Sequence, residues 1–264
     1  MMTEFAGAAE PLSKKGFMDV VADLGVGIPE LLAVLAVESR NCGFLPDRRP
    51  IILFERHIFH KLTRGRFSEH NPGISNPVAG GYAGLAKEYP RLEKAISLDR
   101  DAALKSASWG AGQIMGFNHA AAGFADVEAM VSAMQRSEDE QLKSVAAFLK
   151  KNNFVRFLQS RDWTALARGY NGAAFAKNKY DVRLNGAFQQ YASGALPDIE
   201  VRRAQLYLTY LGFDTGGIDG IHGKRSRSAV AKFREENGMG NSDRVDKAAL
   251  DAMQGKVRKL SGVT

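Results

Sequence analysis

Glu38 closes an almost wholly apolar run that starts at Pro29, and on a helix Leu31, Leu35 and Glu38 share one face at i, i+4 and i+7. A carboxyl among leucines is poorly solvated, and in the last turn it meets the negative end of the helix dipole. Both effects disfavour the ionised form, so its pKa is expected to move upward. A carboxyl still protonated at neutral pH is what a general acid for glycosidic cleavage requires. A glutamate that only marks the exposed end of its helix fits the same spacing, and both readings stand open.

Glu55 is the second candidate. It follows the apolar segment Pro50–Phe54 and precedes a polar one, which suits the edge of a cleft. Hydrolysis with inversion needs a second carboxylate about 6.5–9.5 Å from the acid, and retention needs about 5–5.5 Å. Pairing with Arg49 or Arg56 is the alternative. Glu55, His57 and His60 together spell E-x-H-x-x-H, but no third histidine stands at a zinc spacing, so no metal is expected. Cys42 has no histidine partner that would make it a nucleophile, and is read as a packed or surface thiol. Trp109 and Tyr82 offer faces on which sugars stack, and core packing explains them equally.

The elements around these residues are mainly helical. Phe17, Val20, Val21 and Leu24 recur at helical spacing over Lys14–Leu24, and Pro29 suits the first turn of the next helix, which runs to about Ser39. Pro50–Phe54 reads as a short strand, and Asn71–Gly84 as an irregular loop. Residues 125–192 are mostly helical. Ser137 with Glu140 resembles a capping box, and Asp162 can cap a helix that reaches Tyr170. Ser193–Pro197 looks like a linker. Beyond it come an amphipathic helix over Ile199–Leu211, a turn-rich segment over 214–223, a helix from about Ser226 to Asn237 ending at Gly238, and a third over about Asp246–Met253. The basic tail after Gly255 is expected to fray. The expected organisation is one domain over residues 1–192, a linker over 193–198 and a small three-helix domain over 199–264.

With 264 residues and a single cysteine, the chain can bury a core and form no internal disulfide. The net charge of +7 favours polyanionic partners. The basic residues are scattered, so nucleic acid is not expected, and a weak association with an anionic membrane surface is the most that charge supports. No positively charged segment followed by an apolar one opens the sequence, so no signal peptide is expected.

Three segments carry a resemblance. Ala36-Val-Glu-Ser-Arg40 resembles the catalytic-glutamate motif of the lysozyme-like transglycosylase superfamily. Ser108-Trp-Gly-Ala-Gly-Gln-Ile-Met115 is similar to its Gly-Leu-Met-Gln-Ile-Met element, and Ala165-Leu-Ala-Arg-Gly-Tyr-Asn-Gly172 to its Ala-Leu-Ala-x-Tyr-Asn-Ala-Gly element. With Arg49-Pro-Ile-Ile-Leu-Phe-Glu-Arg-His57, the chain looks most like the N-acetylmuramidase domains of phage endolysins. The resemblance implies a mainly α, lysozyme-like domain with a small β element. Glu38 would be the general acid with Ser39 beside it, and Ser108 and Gln113 would line the sugar cleft. Tyr170 and Asn171 would hold the Glu38 carboxyl and neighbouring substrate groups. The sequence departs from the pattern at Gly112, where methionine is usual, and at Gly172-Ala173, where the order is reversed. Residues 204–233, with Ile218-Asp-Gly-Ile-His-Gly223, look like the three-helix peptidoglycan-binding module. Asp219 is read there as shaping the turn.

Together these imply a cofactor-free, monomeric endolysin that hydrolyses the β-1,4 bond between N-acetylmuramic acid and N-acetylglucosamine in peptidoglycan. It would wait in the host cytoplasm until a holin opens the membrane to the wall. The same-site alternative is a lytic transglycosylase forming 1,6-anhydro ends. A non-catalytic wall-binding protein is the alternative of a different class.

Overall fold

The computed structural model describes residues 4–39 and 42–260. Helix α1 (Lys14–Leu24) starts at Ser13, whose Oγ accepts from the Gly16 amide at 2.9 Å, and ends at Gly25 in the left-handed conformation. Helix α2 (Ile28–Ser39) is apolar almost all round because it is buried almost all round: Leu31, Leu32, Ala33, Val34 and Leu35 all lie in the core. Strand β1 (Ile52–Phe54) follows. It pairs antiparallel with β2 (Ala107–Trp109), which pairs antiparallel with β3 (Ile114–Met115), giving the order β1-β2-β3. Helices α3 (Arg56–Leu62), α4 (Glu88–Ile96) and α5 (Arg100–Lys105) lie in sequence between β1 and β2, with residues 71–84 irregular between α3 and α4.

Five helices complete the larger unit: α6 (Val127–Arg136), α7 (Glu138–Lys151), α8 (Val155–Ser160), α9 (Trp163–Asn171) and α10 (Tyr180–Ser193). The expected caps are in place. Ser137 Oγ accepts from the Glu140 amide at 3.1 Å, and Asp162 Oδ1 from the Ala165 amide at 2.9 Å. Helix α10 packs along α2, a contact between segments about 150 positions apart that fixes the end of α2 carrying Glu38.

Helices α11 (Ile199–Tyr210), α12 (Lys224–Glu236) and α13 (Lys247–Leu260) form a bundle with its own hydrophobic cluster, which also takes in Ala9, Cys42 and Phe44. One buried ion pair joins this bundle to the rest. Arg202 of α11 grips Glu138 at the start of α7 with two hydrogen bonds of 2.6 Å, and Glu138 also accepts from the Leu12 and Gly43 amides. The tail after Gly255 differs from the frayed end expected. Helix α13 continues to Leu260 because Val257 is buried and Arg258 pairs with Glu10 at 3.1 Å. Among the described residues no single helix is long and apolar enough to cross a membrane. The bent pair α1–α2 meets the length and composition, and the apolar faces of both helices belong to the core.

Candidate active site

The last turn of α2 presents Glu38 to the interior. Its Oε1 is shut off from solvent and has no hydrogen-bond partner. Burial pushes the carboxyl pKa well above the usual carboxylate range, against the opposing pull of the Arg183 guanidinium. The direction matches the expectation from Leu31 and Leu35. Arg183 was not legible in the sequence. It comes from α10, 145 positions away, and donates to the Val37 carbonyl at 3.0 Å, satisfying one of the terminal carbonyls of α2.

Tyr170 lies beside Glu38, and burial, with the Glu38 carboxyl adding to it, raises the phenol pKa well above its ordinary value. Its hydroxyl does not hold the Glu38 carboxyl. It donates to the Gly112 carbonyl at 2.8 Å, while the ring meets Phe148 edge-on at 5.4 Å. Glu38 Oε1 is thereby left as an unpartnered, desolvated carboxyl oxygen, the state expected of a proton donor waiting for an acceptor from outside the chain.

The β2–β3 turn supplies Ser108 and Gln113, and the structure gives both side chains partners within the chain. Ser108 Oγ donates to Gln113 Oε1 at 2.8 Å, and Gln113 Nε2 donates to the Gly110 carbonyl at 2.9 Å and the Ile51 carbonyl at 3.2 Å. Gln113 has a φ of 47°, so its amide braces a left-handed backbone turn. That turn fixes the neighbouring Gly112 carbonyl on which Tyr170 rests. Ser39 and Asn171 end α2 and α9, and their side chains lie outside the described part of the structure.

Glu55 is the N-cap residue of α3, but its side chain makes no capping hydrogen bond. Its side chain is 15% exposed, with His57 Nδ1 3.0 Å from Oε2, within ion-pair range but off the line a hydrogen bond needs. Tyr82 donates to Oε1 and Oε2, each at 3.0 Å. Neither Arg49 nor Arg56 pairs with it: Arg49 binds Asp47, and Arg56 donates to the Val78 and Ala79 carbonyls. Glu55, His57, Phe117 and Tyr170 all line one open cleft of about 440 Å³. The fold therefore brings Glu55 and Tyr170, the buried neighbour of Glu38, to one cleft, although they come from the end of β1 and from α9.

The remaining candidates resolve on burial. Trp109 is fully buried and donates from Nε1 to the Leu104 carbonyl, so its ring belongs to the core. Cys42 is buried against the C-terminal bundle, and burial pushes its thiol pKa up to about 12. His60 Nδ1 is hydrogen-bonded to Ser68 Oγ at 2.7 Å. Asp219 accepts from the Ile221 amide at 2.9 Å and from Gln205 Nε2 at 3.0 Å, holding the turn as expected.

Comparison with known proteins agrees with this arrangement. Residues 27–192 match the family model described as N-acetylmuramidase, and residues 198–253 match the putative peptidoglycan binding domain. No curated protein matches the chain. A solved structure titled as that of Burkholderia AP3 phage endolysin is 42% identical, covering 69% of this chain and 71% of that one, with a TM-score of 0.63. A family match spanning more than half of the chain, over the segment that carries both carboxylates, places the chain in the N-acetylmuramidase family of glycoside hydrolases, with a peptidoglycan-binding domain behind the catalytic one.

Proposed function

We propose that Glu38 is the general acid of this muramidase and Glu55 its second carboxylate. The observation that carries the reading is the Glu38 Oε1, buried without a partner beside a cleft that Glu55 lines. A protonated Glu38 delivers its proton to the glycosidic oxygen as the bond to N-acetylmuramic acid breaks. Glu55 stabilises the oxocarbenium-like charge and orients the attacking water. Tyr170 and the Ser108–Gln113 brace act as positioning residues. Tyr170 and Ser108 donate to Gly112 and Gln113, which leaves Glu38 Oε1 without a donor.

Muropeptides released from purified peptidoglycan test this directly by mass spectrometry. Free reducing N-acetylmuramic ends are expected. Products lighter by one water would mean that the substrate's own hydroxyl attacks, which is transglycosylation and needs no second carboxylate. Glu55→Gln separates the two further, because only the hydrolytic route loses rate with that carboxylate.

We infer further that the chain lyses a bacterial host from within, as a monomer held in the cytoplasm until the membrane is breached; the likeness to a phage endolysin supports the lytic part of this reading. Expression with and without a pore-forming protein checks this: turbidity should collapse only when both are present. Dye release from protein-free anionic liposomes would show membrane disruption instead.

A further inference from the structure

The C-terminal bundle carries a groove of about 520 Å³ that shares no lining residue with the cleft of Glu55 and Tyr170. One face of α12 supplies Arg225, Ser228, Lys232 and Glu236, at i, i+3, i+7 and i+11, and the loop after α11 supplies Phe213 and Asp214. Phe213 is fixed from below by the buried Phe233, edge-on at 6.0 Å, and Lys232 Nζ lies 5.9 Å from the Phe213 ring. Gly216 has a φ of 78°, and a Cβ there would stand 2.9 Å from Arg225 Cδ, so the loop is shaped to let that arginine lie along it.

The charges around this floor are poorly spent on one another. Arg225 and Asp214 are 3.8 Å apart with side chains 71% and 77% exposed, and Lys232 and Glu236 are also 3.8 Å apart. Long, exposed pairs of this kind contribute little, so a ligand replaces them at little cost. Two cations and two carboxylates around an aromatic floor are poor partners for a neutral sugar, and good ones for a molecule with an ammonium and a carboxylate close together. Peptidoglycan presents that combination on its peptide stem, where the third residue can be a diamino diacid with both groups on its side chain.

We propose that this groove takes the peptide stem rather than the glycan strand, with Arg225 and Lys232 on the carboxylate and Asp214 and Glu236 on the ammonium. The proposal rests on the peptidoglycan-binding reading of residues 198–253 and is independent of the roles given to Glu38 and Glu55. The test is calorimetric titration of the full chain with two tripeptides, L-Ala-γ-D-Glu-meso-diaminopimelate and the same peptide with L-Lys third, which keeps the amine and loses the carboxylate. The first should bind at least about tenfold more tightly, the effect of one charge-assisted contact. Arg225→Glu and Lys232→Glu should each abolish that preference, and Lys232→Ala, which adds no new charge, should reduce it in the same direction. Equal affinity for the two tripeptides, or a preference that survives all three substitutions, would overturn the proposal. The readout is binding alone, so failure of the Glu38–Glu55 assignment would leave it unmoved.

Discussion

Tyr82 Oη stands 3.0 Å from each carboxylate oxygen of Glu55, so one phenolic proton is shared across the whole carboxylate. The ring itself is 49% exposed, on a loop tied down where Glu88 accepts from the Ala83 and Gly84 amides. A hydrogen bond to a charged group is worth about 1.5–3 kcal/mol, so Tyr82→Phe should lower kcat about tenfold or more with little change in KM. Tyr82→Ala should raise KM as well, because it also removes the exposed ring beside Glu55. A Tyr82→Phe enzyme with wild-type kcat would mean that the phenol does not orient Glu55.

Glu38→Gln removes the proposed proton donor while keeping its shape. Loss of general acid catalysis costs about 10²–10⁴-fold in rate, and the alkaline limb of the activity profile should vanish with it. Residual turnover that keeps the wild-type pH profile would remove Glu38 from that role.

The same substitution has an effect on stability whose sign follows from the upward pKa shift. The folded chain holds the Glu38 proton more tightly than the unfolded chain does. Wild-type stability therefore falls as pH rises above the unfolded glutamate pKa of about 4.3, until the folded group also ionises. Below that pH both states are protonated and the group contributes no difference. Glu38→Gln has no charge to bury, so its melting temperature should exceed that of the wild type at neutral pH, with the gain disappearing towards pH 4. Thermal melts across pH 4–8 would show it. A constant offset at all pH values would mean that burial of the charge is not the cause.

Arg202 and Glu138 are both buried, and their two 2.6 Å hydrogen bonds tie the C-terminal bundle to the start of α7. Arg202→Met leaves the carboxylate buried without its cation, which costs about 3–5 kcal/mol. At about 2–4 °C per kcal/mol for a chain of this size, the melting point should fall by roughly 10 °C. The double variant with Glu138→Gln should recover most of that loss, because it removes the stranded charge and keeps an acceptor for the Leu12 or Gly43 amide. Calorimetry decides: a single variant within about 1 kcal/mol of wild type would show the pair to be hydrated and dispensable.

The parts of this molecule that were legible in the sequence are those decided locally. The burial of Glu38 and the upward direction of its pKa shift could be read because its leucine neighbours sit one and two turns away, and Ser137 and Asp162 because a cap acts within three residues. What was not legible depends on partners brought from afar. Arg183 reaches the end of α2 only because α10 packs there. The tail expected to fray is helical because Arg258 finds Glu10, 248 positions earlier. Ser108 and Gln113 carried a motif that suggested sugar contacts, and nothing in their spacing showed that they would spend their hydrogen bonds on each other and on the Ile51 and Gly110 carbonyls.

Gly112, which departs from the transglycosylase element that this segment resembles, is closely packed in the structure. A Cβ at this position would stand 2.2 Å from Val145 Cγ2 and 3.4 Å from the Tyr170 hydroxyl. Val145 is fully buried in the core, so it cannot swing aside into solvent. The backbone of the turn would have to shift instead, and that backbone carries the carbonyl on which Tyr170 rests. Gly112→Ala should therefore cost about 1–3 kcal/mol as overpacking and lower kcat by displacing Tyr170 from beside Glu38. Pairing it with Val145→Ala makes room for the new methyl group. The pair should return most of the activity while remaining less stable than wild type, because a buried side chain has been truncated. Chemical denaturation and turnover measured on the same three proteins check both halves, and a Gly112→Ala enzyme with wild-type stability and rate would show that the turn yields freely and does not position Tyr170.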